Sequence, residues 1–193
     1  MNRSIFLLGI FFLFPICLAL AEPEVQEEYQ YYSIRGKSAE ELNRIMRDQG
    51  LGTEKWEKFS AYCRWNVQWH YKYNRGAGSC SIRAVTTKVR ILYYMPKWMN
   101  PMGVDLVTRL GWDAFIKALE THEKGHGAHG IEAAREIEAT LLGLPPQKTC
   151  GELSFLCEEA AKDIVSKHRR ADAKYDEDTL HGYKQGVVFL DIR

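Results

Sequence analysis

The sequence predicts an α+β fold: an antiparallel sheet, built on one long hairpin, packed against a long motif helix and a second helix. Three observations predict it. Residues 63–73 alternate large apolar with polar side chains, which is the period of a half-buried strand. A Gly-rich segment, 74–78, separates that run from a second one rich in Val, Ile, Thr and Tyr, so the two read as a hairpin. From Trp112 the apolar period lengthens to that of a helix, through Phe115, Ile116, Leu119, Ala133, Ile137 and Leu141.

The chain opens on Met1-Asn2-Arg3-Ser4, a short basic start, followed by an apolar run over 5–20 and by Ala19-Leu20-Ala21 before Glu22-Pro23. That is the order of a secretory signal peptide, 1–21, cleaved after Ala21. A membrane anchor is the rival reading. The run is shorter than the roughly 20 residues of a span and is interrupted by Pro15, so no stable anchor is expected. Phe14-Pro15-Ile16 before Cys17 lacks the small residue of a lipid-attachment site. The remainder, 22–193, is long enough for a single domain with its own core, and a periplasmic or secreted location is expected. The 26 Lys and Arg of the full chain nearly balance its 25 Asp and Glu, which leaves no broad basic field for nucleic acid. A hydrophobic content of 46% argues against disorder.

Residues 22–28 are acidic and read as a loose leader, 29–34 as a strand that stops at Gly36. Ser38 and Glu41 form a capping box for a short helix carrying Leu42, Ile45 and Met46, ended by Gly50. In the hairpin, Cys63, Trp65, Val67, Trp69, Tyr71 and Tyr73 share one face of the first strand. Val85, Thr87, Val89, Ile91 and Tyr93 share a face of the second, which spans 82–94 and which Pro96 ends. The motif helix runs over 112–142 and stops at Gly143, before Pro145-Pro146. A second helix starts near Glu152 and continues past Ile164, with Leu153, Leu156, Ala160 and Ile164 as its apolar stripe. The tail, 175–193, is polar, then β-like over 187–190.

Cys63, Cys80, Cys150 and Cys157 remain after the leader. An even count in an exported chain reads as disulfides. The sequence-local pairing, Cys63–Cys80 with Cys150–Cys157, is the expectation. The alternative, a cysteine zinc site, lacks a Cys-x-x-Cys pair.

His122-Glu123-Lys124-Gly125-His126 is H-E-x-x-H on the predicted helix. Residues four apart share a face, so both imidazoles can meet one zinc ion. Glu123, rotated by about 100°, can act as general base on water without ligating the metal. Without a metal, the same histidines would be hydrogen-bonded core residues. Gly125, Gly127 and Gly130 crowd this helix, either because a strand or substrate approaches closely or because the helix is kinked. A third zinc ligand is needed. His129 lies too far along the axis from His122, about 10 Å, and reads as supporting shell or core. His168 extends the stripe of the second helix and reads as core. Glu132 and Glu136 are expected to face solvent. His181, in a polar segment, is free to swing toward a metal.

Tyr32-Ser33-Ile34-Arg35-Gly36, Cys80-Ser81-Ile82, Met95-Pro96-Lys97-Trp98 and Thr121-His122-Glu123-Lys124-Gly125-His126 carry a resemblance, together with Tyr175-Asp176, Thr179, His181-Gly182 and Gln185-Gly186. With these, most of the chain after the leader resembles a family of bacterial secreted proteins described as zinc-dependent proteases and grouped as a domain of unknown function. The resemblance implies a periplasmic or secreted protein with a zinc cofactor. It favours His181 over His168 as third ligand, and Tyr175 or Tyr183 as a phenol that steadies an oxyanion. The expected activity is zinc-dependent hydrolysis of a peptide or protein substrate, with Glu123 as base. The alternative is a non-catalytic envelope protein that binds zinc or a partner through the aromatic face of the hairpin.

Overall fold

The computed structural model describes residues 22–49 and 60–189. The leader, 1–21, and Gly50 lie outside the described residues. Three strands, β1 (Glu24–Ile34), β2 (Tyr62–Gly76) and β3 (Ser79–Trp98), form one sheet in the order β1-β3-β2. Three helices accompany it: α1 (Ala39–Gln49), α2 (Leu106–Leu142) and α3 (Cys150–Thr179). No helix among the described residues is long and apolar enough to cross a membrane.

β2 and β3 form the expected hairpin around Ala77-Gly78, where Gly78 takes the positive φ (69°) that the turn requires. Both predicted apolar faces point into the core, where Trp65, Val67, Val85, Val89, Ile91 and Tyr93 are buried. The sheet is mixed, however, not purely antiparallel, because β1 pairs parallel to β3. The hairpin occupies one edge of β3, and the crossover through α1 delivers β1 to the other edge in the same direction as β3. β1 also begins earlier than expected, because its acidic residues find partners on the ladder. Glu24 pairs with Lys88 at 2.9 Å, and Glu27 accepts from the Tyr93 hydroxyl at 3.2 Å. Nor does Pro96 end β3. The last β2–β3 pair is Tyr62 with Tyr94, so beyond it β3 has one ladder to satisfy, and a missing N–H is tolerated.

Ser38 caps α1 as expected, accepting from Glu41 N–H at 3.2 Å, whereas Glu41 reaches back to Lys37 N–H at 2.7 Å. α2 starts at Leu106, a turn and a half before the expected Trp112, because Asp105 caps it by accepting from Thr108 N–H at 2.9 Å. It lies across the buried face of the hairpin. Its Glu138 is buried and accepts from both the backbone N–H and the hydroxyl of Thr87 on β3, at 2.9 and 2.7 Å. A full capping box between Thr149 and Glu152 starts α3. Its buried stripe is Leu153, Cys157, Ala161, Ile164 and His168; Ala160 packs at the edge of the core, and Leu156 is exposed. α3 runs on through Tyr175 and Asp176 to Thr179, and the polar stretch read as tail is helical. Over 187–189 no strand forms. Phe189 instead packs its ring against Trp112 and Phe115.

The disulfide is Cys80–Cys150, and Cys63 and Cys157 are free thiols, which corrects the sequence-local pairing. Hairpin register is the reason. Cys63 lies opposite Tyr93, whereas Cys80 lies opposite Arg75. The two cysteines sit at opposite ends of the hairpin, on the order of 40 Å apart at a strand's rise per residue. Cys80 is instead bridged to Gln147, just before α3, by a pair of backbone hydrogen bonds of 2.8 and 2.9 Å, which brings Cys150 alongside.

Candidate metal centre

Rising numbers on α2 meet falling numbers on α3: His122 with Asp176, His126 with Asp172, Glu136 with His168. The helices are therefore antiparallel, and their seam carries the motif. His122 and His126, one turn apart, are 4% and 8% exposed. Their Nε2 atoms lie 3.3 Å from each other and each 3.1 Å from Oδ1 of Asp176. A tetrahedral ion with bonds of about 2.0–2.1 Å sets its ligands roughly 3.3 Å apart, so these three atoms form one face of such a polyhedron.

The other ring nitrogens are held. Nδ1 of His122 lies 2.8 Å from the carboxamide oxygen of Gln185, and Nδ1 of His126 lies 2.7 Å from Oδ1 of Asp172. Both oxygens accept, which keeps a proton on each Nδ1 and aims each Nε2 at the shared point. Electrostatics agree. Burial disfavours a charged His126, but hydrogen bonds to Asp172 and Asp176 outweigh it and raise its pKa to about 10. Burial likewise works against a charged Asp176, yet hydrogen bonds from His122 and His126 hold it well below the usual carboxylate range. The pocket favours positive charge.

Glu123, 4% exposed, lines the same cavity of about 530 Å³ as His122, His126 and Asp176. Its Oε2 is buried and has no hydrogen-bond partner among the described residues. Burial, the largest influence, raises its pKa to about 7 against the opposing pull of both histidines.

The helix glycines have steric reasons. A Cβ on Gly125 would strike the Tyr175 hydroxyl, and one on Gly127 the Tyr93 hydroxyl. At Gly130 it would meet the Trp65 side chain at 2.9 Å. α2 is continuous through all three, and these close approaches account for them.

The loop after α3 closes the site. Leu180, His181 and Gly182 take successive positive φ values of 52°, 51° and 80°, which folds the chain back. Thr179 Oγ1 accepts from Gly182 N–H at 3.2 Å, and a Cβ on Gly182 would approach His122 Cγ to 3.0 Å. Gln185 thereby reaches His122.

His181 borders the cavity, half exposed, with Nδ1 3.5 Å from Asp176 Oδ1, but the three-atom face is completed by Asp176 instead. Tyr175 stacks on His122 with ring centroids 5.1 Å apart, and its hydroxyl engages Gln185 and the His122 carbonyl. Tyr175 is not among the residues that line the cavity, and Tyr183 is exposed. His129 and His168 stand apart from the face, and Glu136, expected in solvent, pairs with His168 at 2.8 Å. Asp172 escaped sequence reasoning, and Asp176 and Gln185, which stand in the blocks that carry the family resemblance, were given no role there. One signal was available: the buried stripe of α3, continued by one and two turns past His168, lands on Asp172 and Asp176.

An α+β domain in which two imidazoles of one helix and a carboxylate of a second converge on a point has a candidate divalent-metal centre. This chain belongs to a bacterial family of unknown function (DUF922), whose model matches residues 29–182 and so takes in His122, Glu123, His126 and Asp176. No curated protein and no solved structure matches the chain.

Proposed function

We propose that this protein is an exported zinc-dependent metallohydrolase that cleaves peptide bonds, with His122, His126 and Asp176 as metal ligands and Glu123 as general base. The observation that carries the reading is the triangle of Nε2, Nε2 and Oδ1 atoms, 3.1–3.3 Å on each edge, beside an unpartnered buried carboxyl in one cavity. Two imidazoles and a carboxylate suit zinc better than calcium or magnesium, which take all-oxygen sites. Zinc in a site of this kind supplies a Lewis acid and brings the pKa of water toward about 7. Glu123, a buried carboxyl beside both imidazoles, would take the proton of the attacking water. His181, at the mouth of the cavity, offers an N–H to the substrate oxygen on which charge develops.

An extended peptide suits the cavity's surroundings. Among the described residues β2 has one neighbour, β3, and its first residues, Tyr62 and Cys63, line the cavity. An edge strand of this kind can pair with substrate backbone. The leader and the Cys80–Cys150 bridge support an oxidising, extracytoplasmic setting. The aromatic face that would motivate a non-catalytic partner-binding protein is in part taken up by the fold: Trp65 and Tyr93 are buried, and Trp69 and Tyr71, half-buried, bond to Glu158 of α3.

Glu123→Gln tests the proposal. The variant should keep its zinc and lose at least about 100-fold in turnover of a broad peptide library. Undiminished turnover removes Glu123 as base. Zinc bound by the wild type with no turnover of any library would favour the non-catalytic reading.

A further inference from the structure

We infer that the α2–α3 seam carries a second divalent-metal site, formed by His129 and Glu132 of α2 with His168 of α3. One ligand atom from each of the three lies within 4.8 Å of the other two. His129 and Glu132 are three residues apart and so share a helix face. His168 lies eight residues before Asp176, two turns or about 12 Å along α3, so this cluster is distinct from the first. None of its three residues lines the cavity that holds Glu123.

The orphaned nitrogens point to a ligand. His168 is 8% exposed, and its Nε2 is taken by Oε2 of Glu136 at 2.8 Å. Its Nδ1 is buried without a partner among the described residues, and so is Nδ1 of His129. A single buried imidazole nitrogen without a partner is costly. Two of them beside one carboxylate are what a cation would satisfy. Glu136 stands to His168 as Asp172 stands to His126: a carboxylate on one ring nitrogen fixes the tautomer and aims the other. Lys167 holds Glu136 in turn, at 2.8 Å to both carboxylate oxygens. Glu132, on the exposed side of the cluster, closes the set.

Two imidazoles with one carboxylate again select a zinc-class ion. The role follows from position. An ion bridging His129 and His168 pins α3 to α2 and so fixes the register that carries Asp172, Tyr175 and Asp176 to the motif. The ring of Tyr175 packs between the two clusters, edge-on to His126 at 5.0 Å and to His129 at 5.8 Å. The site is structural and stands whether or not the first centre is catalytic.

Zinc stoichiometry tests it. Purified protein is stripped with chelator, reloaded with zinc alone, desalted and analysed by mass spectrometry of the metal, with circular dichroism to verify folding. The wild type should hold two zinc ions per chain. His129→Gln with Glu132→Gln should hold one, as should His168→Gln. The first variant alters partly exposed side chains and keeps the test valid if the buried His168 change unfolds the chain. His122→Gln with His126→Gln should also hold one. Zinc content unchanged by His129→Gln with Glu132→Gln overturns the inference. Zinc lost in that variant, but unchanged in His122→Gln with His126→Gln, supports this site and removes the first.

Discussion

Oδ1 of Asp172 lies 2.7 Å from Nδ1 of His126, and its Oδ2 accepts from the indole N–H of Trp65 at 3.0 Å. One carboxylate on α3 thus ties a candidate ligand on α2 to the core of the sheet. Asp172→Asn keeps an acceptor but removes the charge that makes the imidazole a strong donor. Zinc affinity at the His122–His126–Asp176 centre should fall by about 10–100-fold with the fold intact. Competition against a chromogenic chelator measures it, and an unchanged affinity would deny Asp172 its orienting role.

Metal binding should release a proton. With a pKa of about 10, His126 is cationic at neutral pH in the metal-free protein and must lose its Nε2 proton to ligate. Zinc affinity should therefore rise by about tenfold per pH unit between pH 6 and 8. Calorimetry in buffers of different ionisation enthalpy counts the proton. The sign is opposite for the metal-free fold. A raised histidine pKa stabilises it fully below the ordinary value of 6.5, and that contribution fades as pH climbs toward 10.

Gly130→Ala should destabilise the protein although alanine is the better helix former. The substitution gains about 1 kcal/mol of helix propensity. It also drives a methyl to within 2.9 Å of the buried Trp65 side chain, an overpacking that costs about 1–3 kcal/mol. The reverse change at exposed Ala128, on the same helix, should cost about 1 kcal/mol by propensity alone. Urea midpoints compare the two. A more stable Gly130→Ala would show that the helix and strand can move apart.

The cysteines should behave as two classes. Cys80–Cys150 spans 70 residues of sequence, and losing that link with Cys80→Ser and Cys150→Ser should cost about 4 kcal/mol. Burial raises the pKa of both Cys63 and Cys157, so these thiols should resist alkylation until the protein is denatured. Peptide mapping without reductant distinguishes this from the local pairing, which would yield Cys63 linked to Cys80.

The hairpin and the body of the motif helix were legible locally, whereas the Asp105 cap that starts the helix at Leu106 was missed. The alternation through Trp65 and Val67, the Gly-rich turn at 74–78 and the helical period through Trp112 and Leu141 set the hairpin and the motif helix. Ser38 capped its helix. The polar residues from Tyr175 to Thr179 misled, because a helix that turns its charged face to water carries no apolar period over its last turns.

By itself the sequence determined the H-E-x-x-H pair, since a helix of 3.6 residues per turn puts His122 and His126 on one face wherever that helix packs. The tertiary structure alone decided the rest: which edge of β3 took β1, which cysteine met Cys80, and that Asp176, not His181, closed the triangle. Those choices depend on the register between elements distant in the chain. Register is fixed by contacts that all form together, such as Gly130 against Trp65 and Gly125 against Tyr175, and no local period encodes it.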